Sequence, residues 1–221
     1  MAGRNRYKDL KQFGEKTVKF KQGRYLTGLR RSPDNEETMA ALYEKVRYGV
    51  CFVVVMEWLA TRLKLSGIKF ERDNDAHHLT VMPHLATLQA WYEDLERKPG
   101  RLRVAAEKFG LNLTSNQRFE AGSHGEDDPV KHAIGLVKSE VIKAKLLMII
   151  HMTNIKAQAR CSHAIGIERS IASTYFFDPN VGEYRVPQEN IENFFRCYFG
   201  LLKQRNENFK ISFYLVTHKD S

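Results

Sequence analysis

The sequence has few cysteines and no long apolar segment, and both absences restrict the class of protein. Its 221 residues include three cysteines, which cannot form a fully paired set of disulfide bonds. The longest apolar run, residues 50–56, ends at Glu57 and is far shorter than the roughly 20 residues of a membrane-spanning helix. The first residues, MAGRNRYKDLKQF, are charged and no apolar stretch follows them. We therefore expect no signal peptide, no transmembrane segment and reduced thiols.

The composition indicates a folded chain with an uneven charge distribution. Apolar residues make up 43% and aromatic residues 11% of the sequence, which is enough to fill the core of one domain. The net charge is +9. Residues 1–31 contain ten Lys or Arg residues and two acidic residues, a net charge of +8, which leaves +1 for the other 190 residues. The basic character is thus concentrated at the N-terminus.

This distribution predicts a flexible basic leader, residues 1–31, followed by a nearly neutral domain, residues 32–221. A polybasic arm favours an acidic partner, which can be a nucleic acid, an anionic membrane surface or an acidic protein. The alternative is that the leader is a solvated segment without a partner of its own.

Helix signals dominate the first part of the chain and strand signals dominate the last part. Capping residues, Pro and Gly positions and apolar periodicity predict helices over residues 32–47, 51–65, 83–98, 101–109 and 130–140. Short apolar or alternating runs predict strands over residues 145–152, 159–168, 175–178, 183–186 and 208–217, with one late helix over 187–205. Helices followed by a mostly antiparallel sheet predict the α+β class.

Cys51 lies at the predicted start of an apolar helix. A thiol at a helix N-terminus faces unpaired backbone N–H groups and the positive end of the helix dipole, and both stabilise the reactive thiolate. The same N–H groups are suited to bind an oxyanion. The alternative interpretation is an inert, buried cysteine, since free cysteines are among the most buried residues.

His163 and Asp178 supply the two other groups that a thiol nucleophile requires. An imidazole takes the thiol proton, and a carboxylate orients the imidazole and stabilises its charged form. His163 lies within one predicted strand and Asp178 ends the next, so adjacent strands bring them together. Taken separately, His163 is also explained as a core histidine and Asp178 as a turn residue of the segment Asp-Pro-Asn-Val-Gly.

The three residues occur in the order Cys, His, Asp, separated by 112 and 15 positions. Together with Gly49-Val50-Cys51, with His163-Ala-Ile-Gly-Ile and with Phe177-Asp178-Pro179-Asn180, this order resembles the YopT/AvrPphB-type papain-like cysteine proteases, which bacteria inject into host cells. The resemblance spans about residues 40–217, and roughly fifteen residues carry it.

The resemblance implies a papain-like fold and a thiol endopeptidase with Cys51 as nucleophile, His163 as base and then acid, and Asp178 as orienting carboxylate. It implies a host protein as substrate, delivery by a dedicated secretion system, and neither cofactor nor metal. One rival function is an acyltransferase, transglutaminase or deamidase that uses the same three residues. The other is a non-catalytic binding module with a basic N-terminal arm.

The sequence departs from the papain pattern just before Cys51. Papain-like enzymes usually carry a Gln or Asn a few residues before the cysteine to complete the oxyanion hole, but residues 44–48 are Glu-Lys-Val-Arg-Tyr. The backbone N–H of Cys51 is one available donor, and Arg47 or Tyr48 is a second. Loss of one such donor typically slows catalysis by about 10²–10³.

Two other clusters have the chemistry of metal ligands. Cys161 and His163, two positions apart on a strand, share a face and can join Asp178 around a metal. The segment Asp73–His78, with His84, is also rich in ligand types, although a solvated loop is the preferred interpretation.

Two further residues have alternative interpretations. His132 is a rival base, because His132-Ala-Ile-Gly-Leu repeats the pattern around His163. Cys197 lies on the apolar side of the predicted late helix and is interpreted as a core residue. The sequence contains neither Gly-Lys-Ser nor Gly-Lys-Thr, so nothing predicts a nucleotide cofactor.

Overall fold

The computed structural model describes residues 6–30, 36–46, 50–68, 70, 75–95, 100–120, 129–139 and 144–220. Within these residues, seven strands form one sheet. The strands are β1 Glu15–Val18, β2 Leu111–Glu120, β3 Lys145–Asn154, β4 Ala159–Arg169, β5 Ser173–Asp178, β6 Gly182–Pro187 and β7 Asn206–His218. Their order across the sheet is β1-β6-β5-β4-β3-β7-β2, and every neighbouring pair is antiparallel.

Helices cover both faces of this sheet. They are α1 Gln22–Arg30, α2 Glu36–Val46, α3 Cys51–Arg62, α4 Asp75–Asp94, α5 Arg101–Glu107, α6 Pro129–Ser139 and α7 Ile191–Lys203, with short 3₁₀ helices at Arg6–Gln12 and Gln188–Asn190. None of the helices in the described ranges is long and apolar enough to cross a membrane.

Alternation along the strands divides the core into two apolar clusters. Leu147 and Ile149 of β3 face the cluster that contains α3 and parts of α1, α2, α4 and α5. Leu146 and Met148 of the same strand face the opposite cluster, which contains α6 and α7. Successive side chains of a strand point to opposite faces, so one strand contributes to both cores.

The predicted α+β class, with an antiparallel sheet and one late helix, is confirmed. Each of the five strands predicted in the last part of the chain lies within one of the observed strands β3 to β7, and α7 lies within the predicted helix 187–205. These segments are short and apolar or alternating, so their local pattern and their tertiary packing favour the same structure.

The described part of the predicted leader, residues 6–30, is packed into this fold. β1 pairs with β6, and the 3₁₀ helix buries Leu10 completely in the cluster around α7. Phe20 and Tyr25 are each 1% exposed in the cluster around α3. The separate leader was predicted from charge alone, which takes no account of the apolar residues of this segment. Those apolar residues determine where the segment packs.

Two other segments differ from the prediction. Pro83 was expected to start a helix, but α4 begins at Asp75 and continues through it, with Met82 and Leu85 buried on the core side. The stretch Thr114–Gln117 is polar and lies outside all of the predicted strands, but it belongs to β2, where the pairing with β7 shifts its register between these two residues. Packing and strand pairing thus override local composition at both places.

Trp58 of α3 packs directly on the sheet because Gly166 of β4 has no side chain. A Cβ added at Gly166 would lie 2.5 Å from Cε3 and 2.7 Å from Cζ3 of Trp58. On its other side the indole stacks on Phe177 of β5, with ring centroids 5.4 Å apart. Gly166 therefore sets the distance between α3, which begins at Cys51, and the strand that carries His163.

We expect Gly166→Ala to reduce the free energy of unfolding by about 1–3 kcal/mol, because the added methyl group forces Trp58 and α3 away from β4. Gly200→Ala is the matched control, since a Cβ at that position in α7 meets nothing within 4 Å and favours the helix by about 0.5–1 kcal/mol. Urea denaturation of the three proteins measures both effects. Equal stability of Gly166→Ala and the unmutated protein would contradict this account.

Candidate functional site

Cys51 is the first residue of a helix that is buried all round. Every residue of α3 from Phe52 to Ala60 is buried, and this explains why all of them except Glu57 are apolar. The helix points its N-terminus at β4, where Sγ of Cys51 lies 3.9 Å from the carbonyl oxygen of Ser162. Cys51 itself is half-buried. The predicted position of this cysteine at a helix start is confirmed.

His163 and Asp178 meet at the point where β4 and β5 separate. The two strands pair from Gly166 opposite Phe177 to Arg169 opposite Thr174. In this register His163 and Asp178 are diagonal neighbours on the same face, just beyond the last pair, and diagonal neighbours lie within reach of long side chains. Nε2 of His163 lies 2.9 Å from Oδ1 of Asp178.

Three hydrogen bonds hold the Asp178 carboxylate, which is only 1% exposed. Besides His163, the hydroxyl of Tyr198 on α7 donates to Oδ2 at 2.6 Å. The backbone N–H of Asn180 donates to Oδ1 at 2.7 Å and closes the turn between β5 and β6. Burial alone would raise the pKa of Asp178, but the charge of His163 and these hydrogen bonds lower it below its ordinary value.

The surroundings of the His163 imidazole favour its charged form. Burial alone would lower the pKa of His163, but the Asp178 carboxylate, its hydrogen bond and the contact with Cys51 together raise that pKa well above its ordinary value. Because Nε2 faces Asp178, Nδ1 is the ring nitrogen that remains available to the nearby Cys51 side chain. A charged imidazole beside a thiol favours the thiolate.

Two buried glutamines flank the backbone N–H groups at the start of α3. Oε1 of Gln22 accepts the N–H of Val50 at 2.9 Å, and Oε1 of Gln89 on α4 accepts the N–H of Val53 at 3.4 Å. Gln22 and Gln89 are 6% and 3% exposed. The N–H groups of Cys51 and Phe52 lie between these two positions, beside the thiol.

Neither glutamine was predicted from the sequence. The papain pattern has its amide within a few residues before the cysteine, whereas Gln22 lies 28 positions before Val50 and Gln89 lies 36 positions after Val53. No local pattern marks such residues, because only the folded chain brings them to the helix start. The predicted alternative donors, Arg47 and Tyr48, lie outside the described residues.

The metal-site hypotheses gain no support. In the described ranges, no group of three or more His, Cys, Asp or Glu side chains is placed to hold one metal ion. Cys161 is exposed, while His163 and Asp178 bind each other directly. The other predicted cluster lies largely outside the description, since residues 71–74 and the side chains of residues 75–79 are not described.

The rival base His132 lies on the other side of the sheet. It is an exposed residue of α6, which packs into the cluster that contains α7, whereas α3 and Cys51 pack into the opposite cluster. The sheet therefore separates His132 from Cys51. Cys197 is half-buried on α7 against the same cluster as α6, as its predicted core position requires.

A half-buried thiol beside a charged imidazole and a buried carboxylate is the chemical arrangement of a cysteine peptidase. The family comparison agrees: the profile of the Peptidase C58 family, described as Yersinia/Haemophilus virulence surface antigen, matches residues 8–217, and the chain belongs to this family. It is thus a cysteine peptidase, a hydrolase, and the family resemblance expected from the motifs is confirmed.

Among solved structures, the chain is similar to the Pseudomonas avirulence protein AvrPphB, with 18% sequence identity and a TM-score of 0.48. The similarity covers 76% of this chain and 91% of that one. No curated protein matches the sequence significantly.

We expect Asp178→Asn to reduce the free energy of unfolding at pH 7 by about 3 kcal/mol, since it leaves a buried imidazolium without its counterion. Because the pKa of Asp178 is lowered in the folded state, its charged form stabilises the fold above about pH 4, the ordinary pKa of a carboxyl group. This stabilisation is lost as the pH falls below that value. The raised pKa of His163 adds stability below about pH 6.5, and this is lost as the pH rises through the raised value.

The loss of unfolding free energy in Asp178→Asn, relative to the unmutated protein, should therefore be largest between about pH 4 and 6.5 and should become smaller on either side. Urea denaturation from pH 3 to 9 measures it. Asp9→Asn, a change at an exposed carboxylate, is the matched control and should show little difference at any pH. A difference for Asp178→Asn that does not change with pH would contradict the assigned charge states.

Proposed function

We propose that this chain is a papain-like thiol endopeptidase in which Cys51 is the nucleophile, His163 the general base and acid, and Asp178 the orienting carboxylate. The observation that supports this most directly is that Nε2 of His163 lies 2.9 Å from Oδ1 of the buried Asp178, while the Cys51 side chain is one of the groups that raise the pKa of the same imidazole. Membership of the Peptidase C58 family supports the same reaction class.

The Cys51 thiolate attacks the carbonyl carbon of a peptide bond and forms a tetrahedral intermediate. The N–H groups of Cys51 and Phe52 stabilise the oxyanion, helped by the positive end of the α3 dipole. Nδ1 of His163 gives its proton to the departing amine as the C–N bond breaks and leaves an acyl-enzyme. His163 then takes a proton from water, hydroxide adds to the thioester carbonyl, and the carboxylate product leaves with the thiolate restored.

Asp178 fixes the ring of His163 so that Nδ1 faces the sulfur. It also stabilises the imidazolium that exists whenever Cys51 is a thiolate. Tyr198 holds the second carboxylate oxygen, so the carboxylate cannot rotate away from the ring without losing a hydrogen bond at 2.6 Å. The low exposure of the pair strengthens these electrostatic interactions relative to their strength in water.

We further propose that the substrate is a host-cell protein and that the chain acts as a secreted effector. The family's description as a virulence surface antigen supports this interpretation. The same thioester intermediate also supports acyl transfer or deamidation, since the outcome depends on whether water, a lysine amine or a glutamine amide takes part. Product analysis must therefore distinguish among these reactions.

Cys51→Ala should abolish cleavage of proteins in a eukaryotic cell extract, because it removes the nucleophile; losses of about 10⁴ or more in rate are typical. Mass spectrometry after labelling of new N-termini measures cleavage. Cys197→Ala is the matched control and should retain activity, since Cys197 lies on α7, on the other face of the sheet from α3.

New N-termini that persist with Cys51→Ala would contradict the proposal. If the unmutated protein instead adds an acyl group, or changes a glutamine side chain by about one dalton, the acyl-transfer or deamidation alternative is correct.

The described part of the basic N-terminal segment gives the chain a lysine-rich surface close to the site. Lys8, Lys11, Lys19 and Lys21 are exposed. Burial, followed by the charges of Lys21, Lys11 and Lys19, lowers the pKa of Lys16 to about 8, so these three lysines lie near Lys16. We propose that this surface docks the enzyme on an anionic membrane.

The triple variant Lys8→Glu, Lys11→Glu, Lys21→Glu should bind phosphatidylserine vesicles at least tenfold more weakly than the unmutated protein at 50 mM salt, since each cation near the surface contributes about 1 kcal/mol. Vesicle sedimentation measures the binding, which should decrease at 500 mM salt. The control makes the same charge change at exposed positions of α6, α7 and β7, namely Lys131, Lys203 and Lys210. Equal loss in both triple variants would show that only net charge matters.

A further inference from the structure

Gln22 makes three hydrogen bonds that join the two halves of the proposed site. Its Oε1 accepts the N–H of Val50, the residue just before Cys51, at 2.9 Å. Its Nε2 donates to Oδ1 of Asn180 at 2.8 Å, and its backbone N–H donates to the carbonyl of Pro179 at 2.7 Å. One residue thus binds both the start of α3 and the turn that follows Asp178.

The contact with Asn180 extends to the carboxylate itself. The N–H of Asn180 donates to Oδ1 of Asp178, the same oxygen that faces Nε2 of His163. A continuous path of hydrogen bonds therefore leads from Val50 through Gln22 and Asn180 to Asp178 and His163. With its side chain almost fully buried, Gln22 has no exchange with water to replace a lost partner, so losing one leaves an unsatisfied polar group.

The segment around Gln22 is anchored on both sides of the same turn. Lys16 donates from Nζ to the carbonyl of Val181, and β1 pairs with β6 directly after the turn. Gly182 has φ +104°, and a Cβ there would lie 2.2 Å from the carbonyl oxygen of Val18 and 3.0 Å from the N of Phe20. Only glycine permits this close approach, which places Gln22 against the turn.

We propose that Gln22 is a positioning residue, which holds the start of α3 and the turn after Asp178 in the relative placement that aligns Cys51 with His163. This inference rests on the proposed function and adds a residue to it. We assign Gln22 no role as an oxyanion donor, because its amide oxygen, which can only accept, is the atom bound to the start of α3. It acts through the backbone of Val50 and through Asn180.

The test is the rate at which iodoacetamide alkylates Cys51 in the full chain between pH 5 and 9, measured by mass spectrometry of the peptide that contains Cys51. Gln22→Met keeps the side chain's length and removes its hydrogen bonds. We expect this variant to be alkylated about tenfold more slowly at pH 6, the effect of one lost hydrogen bond, and its pH profile to move upward. Gln188→Met is the control, since Gln188 donates to the carbonyl of Ser170 at the far end of β6.

Asn180→Ala is a second variant, because it removes only the acceptor of Nε2 on an exposed turn residue and keeps the backbone N–H to Asp178. It should shift the profile in the same direction as Gln22→Met, and it provides the test if Gln22→Met does not fold by circular dichroism. A purely structural role would lower the urea midpoint without moving the profile.

Three outcomes are distinct. A profile that moves in Gln22→Met and Asn180→Ala, but not in Gln188→Met, supports the inference. If Gln22→Met and Asn180→Ala both fold and both keep the alkylation pH profile of the unmutated protein, the inference about Gln22 is wrong. The proposed function is still supported in that case if His163→Ala moves the profile. If His163→Ala leaves the profile of Cys51 unchanged, the proposed function fails, and the inference fails with it.

Discussion

The buried charge of Asp178 is the constraint on which the site depends. An isolated carboxylate with 1% exposure costs several kcal/mol in lost hydration, so the fold must supply charge and hydrogen-bond donors around it. It does so from three places: His163 on β4, Tyr198 on α7 and the N–H of Asn180 in the adjoining turn. The carboxylate of Asp178 thus connects α7, β4 and the turn after β5. In return, the carboxylate favours the charged form of the His163 imidazole.

The sulfur reaches this pair from the opposite face of the sheet. That approach requires β4 and β5 to separate beyond Gly166 and Phe177, and it requires α3 to lie close to β4. The second condition depends on Trp58, which occupies the space above Gly166 and stacks on Phe177. The glycine of the His-Ala-Ile-Gly segment is therefore a packing requirement, and the packing it permits sets where Cys51 lies relative to His163.

The sequence was sufficient to predict the parts of the structure where local pattern and tertiary contacts agree. A cysteine before an apolar run marked the start of α3, and strand periodicity placed His163 and Asp178 on adjacent strands whose register makes them diagonal neighbours. The polar stretch in β2 and the helix through Pro83 escaped prediction because pairing with β7 and burial in the core determine them. Neither interaction is visible within a window of ten residues.

The N-terminal segment escaped prediction for a further reason. Its lysines dominate the charge count, but its position is determined by Phe20 and Tyr25 in the core, by the pairing of β1 with β6, and by the room that Gly182 leaves for the chain. β6 and Gly182 lie more than a hundred positions further along the chain than the segment they contact. Gln22 thus lies against the turn between β5 and β6, to which both its backbone and its side chain are hydrogen-bonded. In the arrangement we propose, the alignment of Cys51 with His163 therefore depends on contacts made by residues from 15 onward, within the segment that its charge count marks as a basic leader.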